Sequence, residues 1–504
     1  MRSGLYVRQA LALVMLGATA AANALPLDRA KPAGPAGASV WQAALEAFRN
    51  GDCPTAMRLI VPRLKDPVPQ VDTDRILSAG AEMATTCALR GNDKGLAYRY
   101  ALEGTARNLG SDLLWRMRLA LELQKPMDSA VVTTVEAMAQ GHIAALNETG
   151  FDWLTQFYRK LKREHQDDLR RRLLSALLEK GYSPTEPLAS LDPLRQDYAA
   201  MLYAAGDKAG AETQVGRIDE PRIAIELSFD PRFRSMLGPD FDPRASVERK
   251  LVKARVAMEQ RPDMIKPIVE TAGQLLKLGR PSEALAVLET ARVRIVGKTG
   301  FADAATQTNW WWNQLSQNYV MLGRFDDAVA AMRAGSDSGE QGGLNVSQTI
   351  NLADLQNSFG KGELALETLK PFSTGERSVS PFGELALRKS RGCANAMAGH
   401  KDAIAEDLAF AQAHEADNRF AVRNLRVCAG DLDGAASSII RQLDDPERQA
   451  AMLVNLSDYD AAPVKQPDTV ESLNWGKVRA RADVKAAIAR AGGTRRIHLQ
   501  SGEY

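Results

Sequence analysis

Trp312-Asn-Gln-Leu315-Ser316-Gln-Asn-Tyr319, followed by Gly323-Arg-Phe-Asp-Asp-Ala328 and Met332, is the stretch that decides the fold. At about 100° per residue, Trp312, Leu315, Ser316 and Tyr319 fall on one face of a helix. Gly323 ends that helix, because glycine alone accepts the left-handed conformation of a helix C-terminus without strain. Asp326 and Asp327 favour the start of a second helix. Ala328 lets the two helices approach where they cross, so the segment reads as a helix hairpin.

The punctuation recurs. A Gly followed five residues later by Ala appears at Gly51 and Ala56, Gly206 and Ala211, Gly279 and Ala284, Gly323 and Ala328, Gly360 and Ala365, and Gly430 and Ala435. Looser copies run Gly91 to Leu96 and Ala398 to Ala403. From Gly279 the intervals to Gly323, Gly360, Ala398 and Gly430 are 44, 37, 38 and 32 residues, the self-similarity of a repeat array. The best copy resembles the tetratricopeptide repeat, with Ser316 for its small Gly and Met332 for its usual aromatic residue. The resemblance is firm from Asp263 to Arg441 and diffuse from Val40 to Ile218. It implies an all-α fold, an α-solenoid of helix-hairpin repeats in two segments with 18 to 22 helices and almost no sheet.

Two stretches interrupt the array. Residues 219–246 carry Phe229-Asp-Pro-Arg232, Phe241-Asp-Pro-Arg244 and further prolines at 221 and 239, which reads as a joint between segments 25–218 and 247–457. Residues 458–504 read as a linker, a closing helix from Asn474 to Ala491 and a polar tail. Arg479, Arg481, Asp483 and Lys485 would give that helix the polar face of a cap.

Arg2 and Arg8 precede an apolar run from Ala10 to Ala22 that ends Ala22-Asn23-Ala24, the order of a secretory signal peptide over residues 1–24. The run is short for a membrane anchor. The expectation is a soluble protein delivered to a periplasm. Removing Arg2 and Arg8 leaves 62 basic against 62 acidic residues, a balance that gives no footprint for nucleic acid or anionic lipid. The basic stretch Arg159 to Arg172 is diluted by Glu164, Asp167 and Asp168 and reads as a solvated helix face.

Cys53 and Cys87, and Cys393 and Cys428, lie about one repeat apart within each pair. An oxidising compartment would join each pair across neighbouring helices. No C-x2-C spacing and no cysteine or histidine at helical spacing from His400 argues for a metal site.

Fragments of enzyme motifs fall short. Gly297-Lys298-Thr299 has Arg292 where a phosphate-binding loop opens with Gly, and Ser358-Phe-Gly-Lys361 stands after Lys298-Thr-Gly300, the reverse of the penicillin-binding order. His142, His165, His400, His414 and His498 are too few and scattered to suggest histidine chemistry. The enzymatic alternative is a cell-wall-acting protein like a helical lytic transglycosylase, but its Gly-Leu-Met-Gln-like motif is missing, and Glu471-Ser472, the one Glu-Ser step, stands without it. No cofactor is expected.

What remains is recognition. Trp310, Trp311 and Trp312 are consecutive, and the helix face opposite Trp312 carries Trp310, Asn313, Gln317 and Met321. In tetratricopeptide proteins that face of the first helix lines the groove for peptides or partner helices. The resemblance therefore implies a protein-binding scaffold, expected in envelope assembly or secretion, with these four residues as its candidate contact. The competing expectation is that Trp310 packs on the preceding repeat or is covered by a loop.

Overall fold

A computed structural model describes residues 37–69, 71–106, 111–238, 240–339, 345–372 and 379–500. The expected signal peptide and the end of the polar tail lie outside them. The chain divides between Met201 and Leu202 into two compact units. This division falls before the proline-rich joint, inside a continuous helix.

The first unit runs through α1 Gly37–Arg49, α2 Cys53–Lys65, α3 Asp74–Arg90, α4 Lys94–Ala106, α5 Asp112–Glu122, α6 Asp128–Gly141, α7 Ile143–Asn147, α8 Phe151–Arg163, α9 Asp167–Glu179 and the start of α10 Asp192–Ala204. Its first hairpins are pinned by a buried polar centre. Trp41 Nε1 donates to Asp72 Oδ1 at 2.7 Å, and Asp72 Oδ2 receives Arg63 Nη1 at 3.2 Å and the Val68 amide at 2.6 Å. A buried carboxylate is tolerated here because three donors replace its water.

The second unit continues through α11 Lys208–Val215, α12 Pro221–Phe229, α13 Pro243–Gln260, α14 Lys266–Lys277, α15 Pro281–Val296, α16 Ala304–Met321, α17 Phe325–Ser336, α18 Val346–Ser358, α19 Gly362–Leu369, α20 Pro381–Ala398, α21 Lys401–Ala413, α22 Arg419–Ala429, α23 Leu432–Leu443, α24 Gln449–Leu456, α25 Val470–Ala480 and α26 Ala482–Arg490. The described residues thus hold 26 α-helices, more than the 18 to 22 expected. Short helices such as α7 and α24 carry too few turns to show a period, and the joint itself contains α12, with Pro221 at its first position, where no amide hydrogen is needed.

The hairpin reading holds residue by residue. Gly51, Gly206, Gly279, Gly323, Gly360 and Gly430 all have φ between 70° and 86°. The partner alanines Ala56, Ala211, Ala284, Ala328, Ala365 and Ala435 are each 0% exposed, at the closest approach of paired helices. Asp52, Asp207 and Asp431 cap the second helices by accepting the amides of Thr55, Gly210 and Gly434. In the looser copies the frame moves by one residue. The left-handed positions are Asn92 and Gly399, at φ 58° and 81°, and Ala97 takes the buried place expected of Leu96.

Both disulfides are present. Cys53–Cys87 joins α2 to α3 with Cα atoms 5.3 Å apart, and Cys393–Cys428 joins α20 to α22 at 5.0 Å. Among the described residues no helix is long and apolar enough to cross a membrane.

The C-terminal segment departs from expectation. The single closing helix is two: α25 opens earlier, at Thr469, whose hydroxyl accepts the Ser472 amide while Ser472 Oγ accepts the Thr469 amide. It breaks at Arg481, whose backbone is extended and whose guanidinium bonds Asp483 and Asp433. Two short strands, β1 Asp458–Asp460 and β2 Arg496–Gln500, then pair in parallel, Tyr459 opposite Ile497. The segment has an apolar inner face, while Asp483 and Lys485 stay exposed and Arg479 and Arg481 partly so. Val478, Val484 and Ala487 are fully buried, and Ile497 and Leu499 join one apolar cluster with Val247, Leu251 and Leu275. Helix α24 packs on α12, and β2 lies against α13 and α14, so within this unit the last elements meet the first.

Candidate functional site

Helix α16 presents the candidate residues on an unusual stretch of sequence. None of its 18 residues is charged, whereas charged residues make up 25% of the chain. Trp311, given no role by the repeat pattern, is the core residue. It is 0% exposed, and its Nε1 donates to the Leu288 carbonyl at 3.2 Å. Trp312 does pack inside the hairpin, against Trp311 in an edge-on contact at 4.7 Å and close to Gly335, but it is only partly buried. Leu315, Ser316 and Tyr319 are buried as their spacing implies, with Ser316 Oγ donating across the hairpin to the Ala328 carbonyl at 2.8 Å.

Trp310 stands 44% exposed, with Asn313 and Gln317 partly exposed on the following turns. Met321 does not share that surface. It is 2% exposed and belongs to the apolar cluster that also holds Leu453, Ile497 and Leu499. Helical phase put Met321 with Trp310, but the last turn of α16 is covered, and the C-terminal segment that builds this cluster comes from far along the chain.

Three residues extend the face. Asn351 Nδ2 donates to Asn313 Oδ1 at 3.1 Å, which brings α18 beside α16. One turn on, Asp354 Oδ2 receives Lys389 Nζ of α20 at 2.8 Å. Asn313, Asn351 and Lys389 follow one another at intervals of 38 residues, nine or ten residues before the left-handed glycines Gly323, Gly360 and Gly399. The Lys389 ammonium is raised above its ordinary range: burial alone would lower it, but the Asp354 and Glu471 carboxylates outweigh that cost. Helix α18 carries no other charge than Asp354. The result is a row across three helices that offers one large aromatic surface, amide donors and acceptors, and a charge pair already neutralised within the protein.

The other candidate chemistry disperses. Gly297, Lys298 and Thr299 form the turn after α15, with Lys298 at φ 54°. Ser358 donates to the Leu355 carbonyl at 2.8 Å, and Lys361 caps α19. Among the described residues one cluster has the geometry of metal ligands, Cys393, Cys428 and Glu471, and its two sulfurs are bonded to each other. A cleft of about 650 Å³ beside α23 is lined by paired charges, among them Arg441 with Glu415 at 3.4 Å and Arg448 with Asp445 at 3.2 Å.

No family model matches the chain, and no curated protein matches it. Among solved structures it is similar to the APC/C hetero-tetramer Cut9–Hcn1, at 12% identity and a TM-score of 0.29 over 90% of each chain. It is also similar to Naa15/Naa10 bound to HypK-THB, at 10% identity and 0.24 over 90% of this chain and 75% of that one. A circular tandem repeat protein aligns at 13% identity and 0.14 over 97% of this chain and 98% of that one. At these scores the likeness carries no argument. The tetratricopeptide-like fold rests on the hairpins themselves, with their left-handed glycines and buried alanines.

Proposed function

We propose that this chain is an exported helical-repeat scaffold, periplasmic in location, that holds another protein against the α16 and α18 face during envelope assembly or secretion. The observation that carries the reading is Trp310, an aromatic ring left 44% exposed in a helix that buries Trp311, Leu315, Tyr319 and Met321. A large exposed ring flanked by amides is the composition of a binding anchor. The two disulfides support export, since such bonds persist in oxidising compartments.

The test is a photo-crosslinking residue placed at Gln317 in living cells, with and without Trp310→Ala. A discrete crosslinked partner that disappears in the Trp310→Ala background is expected. Crosslinks that are unchanged by loss of Trp310 would remove this face from the function.

A further inference from the structure

Resting on that reading, we infer that the α16 and α18 face selects an uncharged, extended stretch of its partner, and excludes charged tails and terminal carboxylates. The 31 residues of the two helices hold one charge, Asp354, and that charge is spent on Lys389, which also faces Glu471. An ionic side chain laid on Trp310, Asn313 or Asn351 would lose water and find on these two helices no charge but the already paired Asp354, which is costly. A neutral chain pays no such penalty.

The amides supply what a neutral chain needs. The bond between Asn351 Nδ2 and Asn313 Oδ1 leaves the amide hydrogens of Asn313 and the carbonyl of Asn351 for a ligand. One donor and one acceptor side by side match the alternating C=O and N–H of an extended backbone. Trp310 then takes the single apolar or small side chain that sets register. This pairing with a repeating backbone favours a peptide over a glycan, whose hydroxyls would use the amides without that alternation.

The experiment is selection of phage-displayed random peptides of about twelve residues on the intact protein, counter-selected on Trp310→Ala. The enriched sequences are expected to be depleted of Asp, Glu, Lys and Arg by about tenfold against the input, with binding that changes less than about twofold between low and high salt. Asn351→Lys, checked for native helicity, is expected to shift the enrichment toward acidic peptides. Charged residues enriched at or above their input frequency, still dependent on Trp310, would overturn the selectivity while leaving the docking face intact. No enrichment over Trp310→Ala would overturn the docking face itself. Displacement of the selected peptides by a neutral linear hexasaccharide, again dependent on Trp310, would reassign the row to glycans.

Discussion

Arg495 Nη2 donates to the carbonyl oxygen of Ser228 at 3.0 Å, across 267 residues of chain, and its guanidinium lies 4.5 Å from the centre of the Phe229 ring. This contact ties the entry to β2 onto the end of α12, early in the second unit. An exposed arginine holding one carbonyl and one ring contributes modestly, and the apolar residues beside it carry more. Arg495→Ala is expected to cost ~1 kcal/mol and Ile497→Ala ~2 to 4 kcal/mol. Chemical denaturation followed by circular dichroism measures both. A loss for Ile497→Ala no larger than for Arg495→Ala would mean that closure of the unit contributes little in solution.

The two disulfides close loops with sequence separations of 34 and 35 residues. Loop entropy in the unfolded chain gives each ~3 to 4 kcal/mol. Replacing either pair by Ser is expected to lower the stability of its own unit by that order and leave the other unit's transition in place. Counting thiols by alkylation without reductant should find none in the oxidised protein.

Trp310, Trp311 and Trp312 separate three roles within one helix. Trp311→Ala is expected to destabilise by ~3 to 5 kcal/mol, as removal of a fully buried ring. Trp312→Ala should cost less, and Trp310→Ala should stay within ~0.5 kcal/mol of wild type while weakening partner capture. Thermal melts paired with the crosslinking yield decide this. A large loss of stability for Trp310→Ala would place that ring in the core.

How far the sequence showed this can be followed through particular residues. The full copies were legible because the requirement is local: only Gly takes the turn comfortably, and only a small residue fits where Ala284 or Ala328 sits. The first looser copy was misframed by one residue because Asn92 tolerates the left-handed region almost as Gly does, so the nearby Gly91 drew the alignment. Trp310, Asn313 and Gln317 followed from helical phase. Asn351 and Lys389 were missed, although the 38-residue steps from Asn313 to Asn351 and on to Lys389 were readable. Met321 and the return of β2 were not legible, since a contact such as Arg495 with Ser228 has no local pattern to announce it.

Glu82 is buried on α3 and accepts a hydrogen bond from Ser111 Oγ. Burial raises its carboxyl above the ordinary range, against the smaller lowering from Ser111. The folded protein therefore binds this proton more tightly than the unfolded chain, and stability from this group falls as pH rises between the two pKa values. Glu82→Gln is expected to be more stable than wild type at neutral pH, with the two converging as pH falls to about 4. Denaturation midpoints across that range are the measurement. A constant offset at every pH would show that the carboxyl is not held above its ordinary range.

Gly323 and Gly360 turn their hairpins at the same φ, 72°, yet differ in what lies above them. A Cβ at Gly323 would sit 3.1 Å from Val464 Cγ1, in the connection between β1 and α25, whereas at Gly360 nothing lies within 4 Å. Alanine at either turn pays the left-handed backbone cost of ~1 kcal/mol. Gly323→Ala must in addition push Val464 aside, so it is expected to cost more than Gly360→Ala. Val464 is 41% exposed, and Val464→Ala alone should change stability little. Combined with Val464→Ala, the cost of Gly323→Ala should drop to that of Gly360→Ala, a coupling that a double-mutant cycle reads directly. If the two turns cost the same with Val464 in place, the connection does not rest on the α16–α17 turn in solution. The C-terminal segment would then be held by α25, α26 and β2 without it.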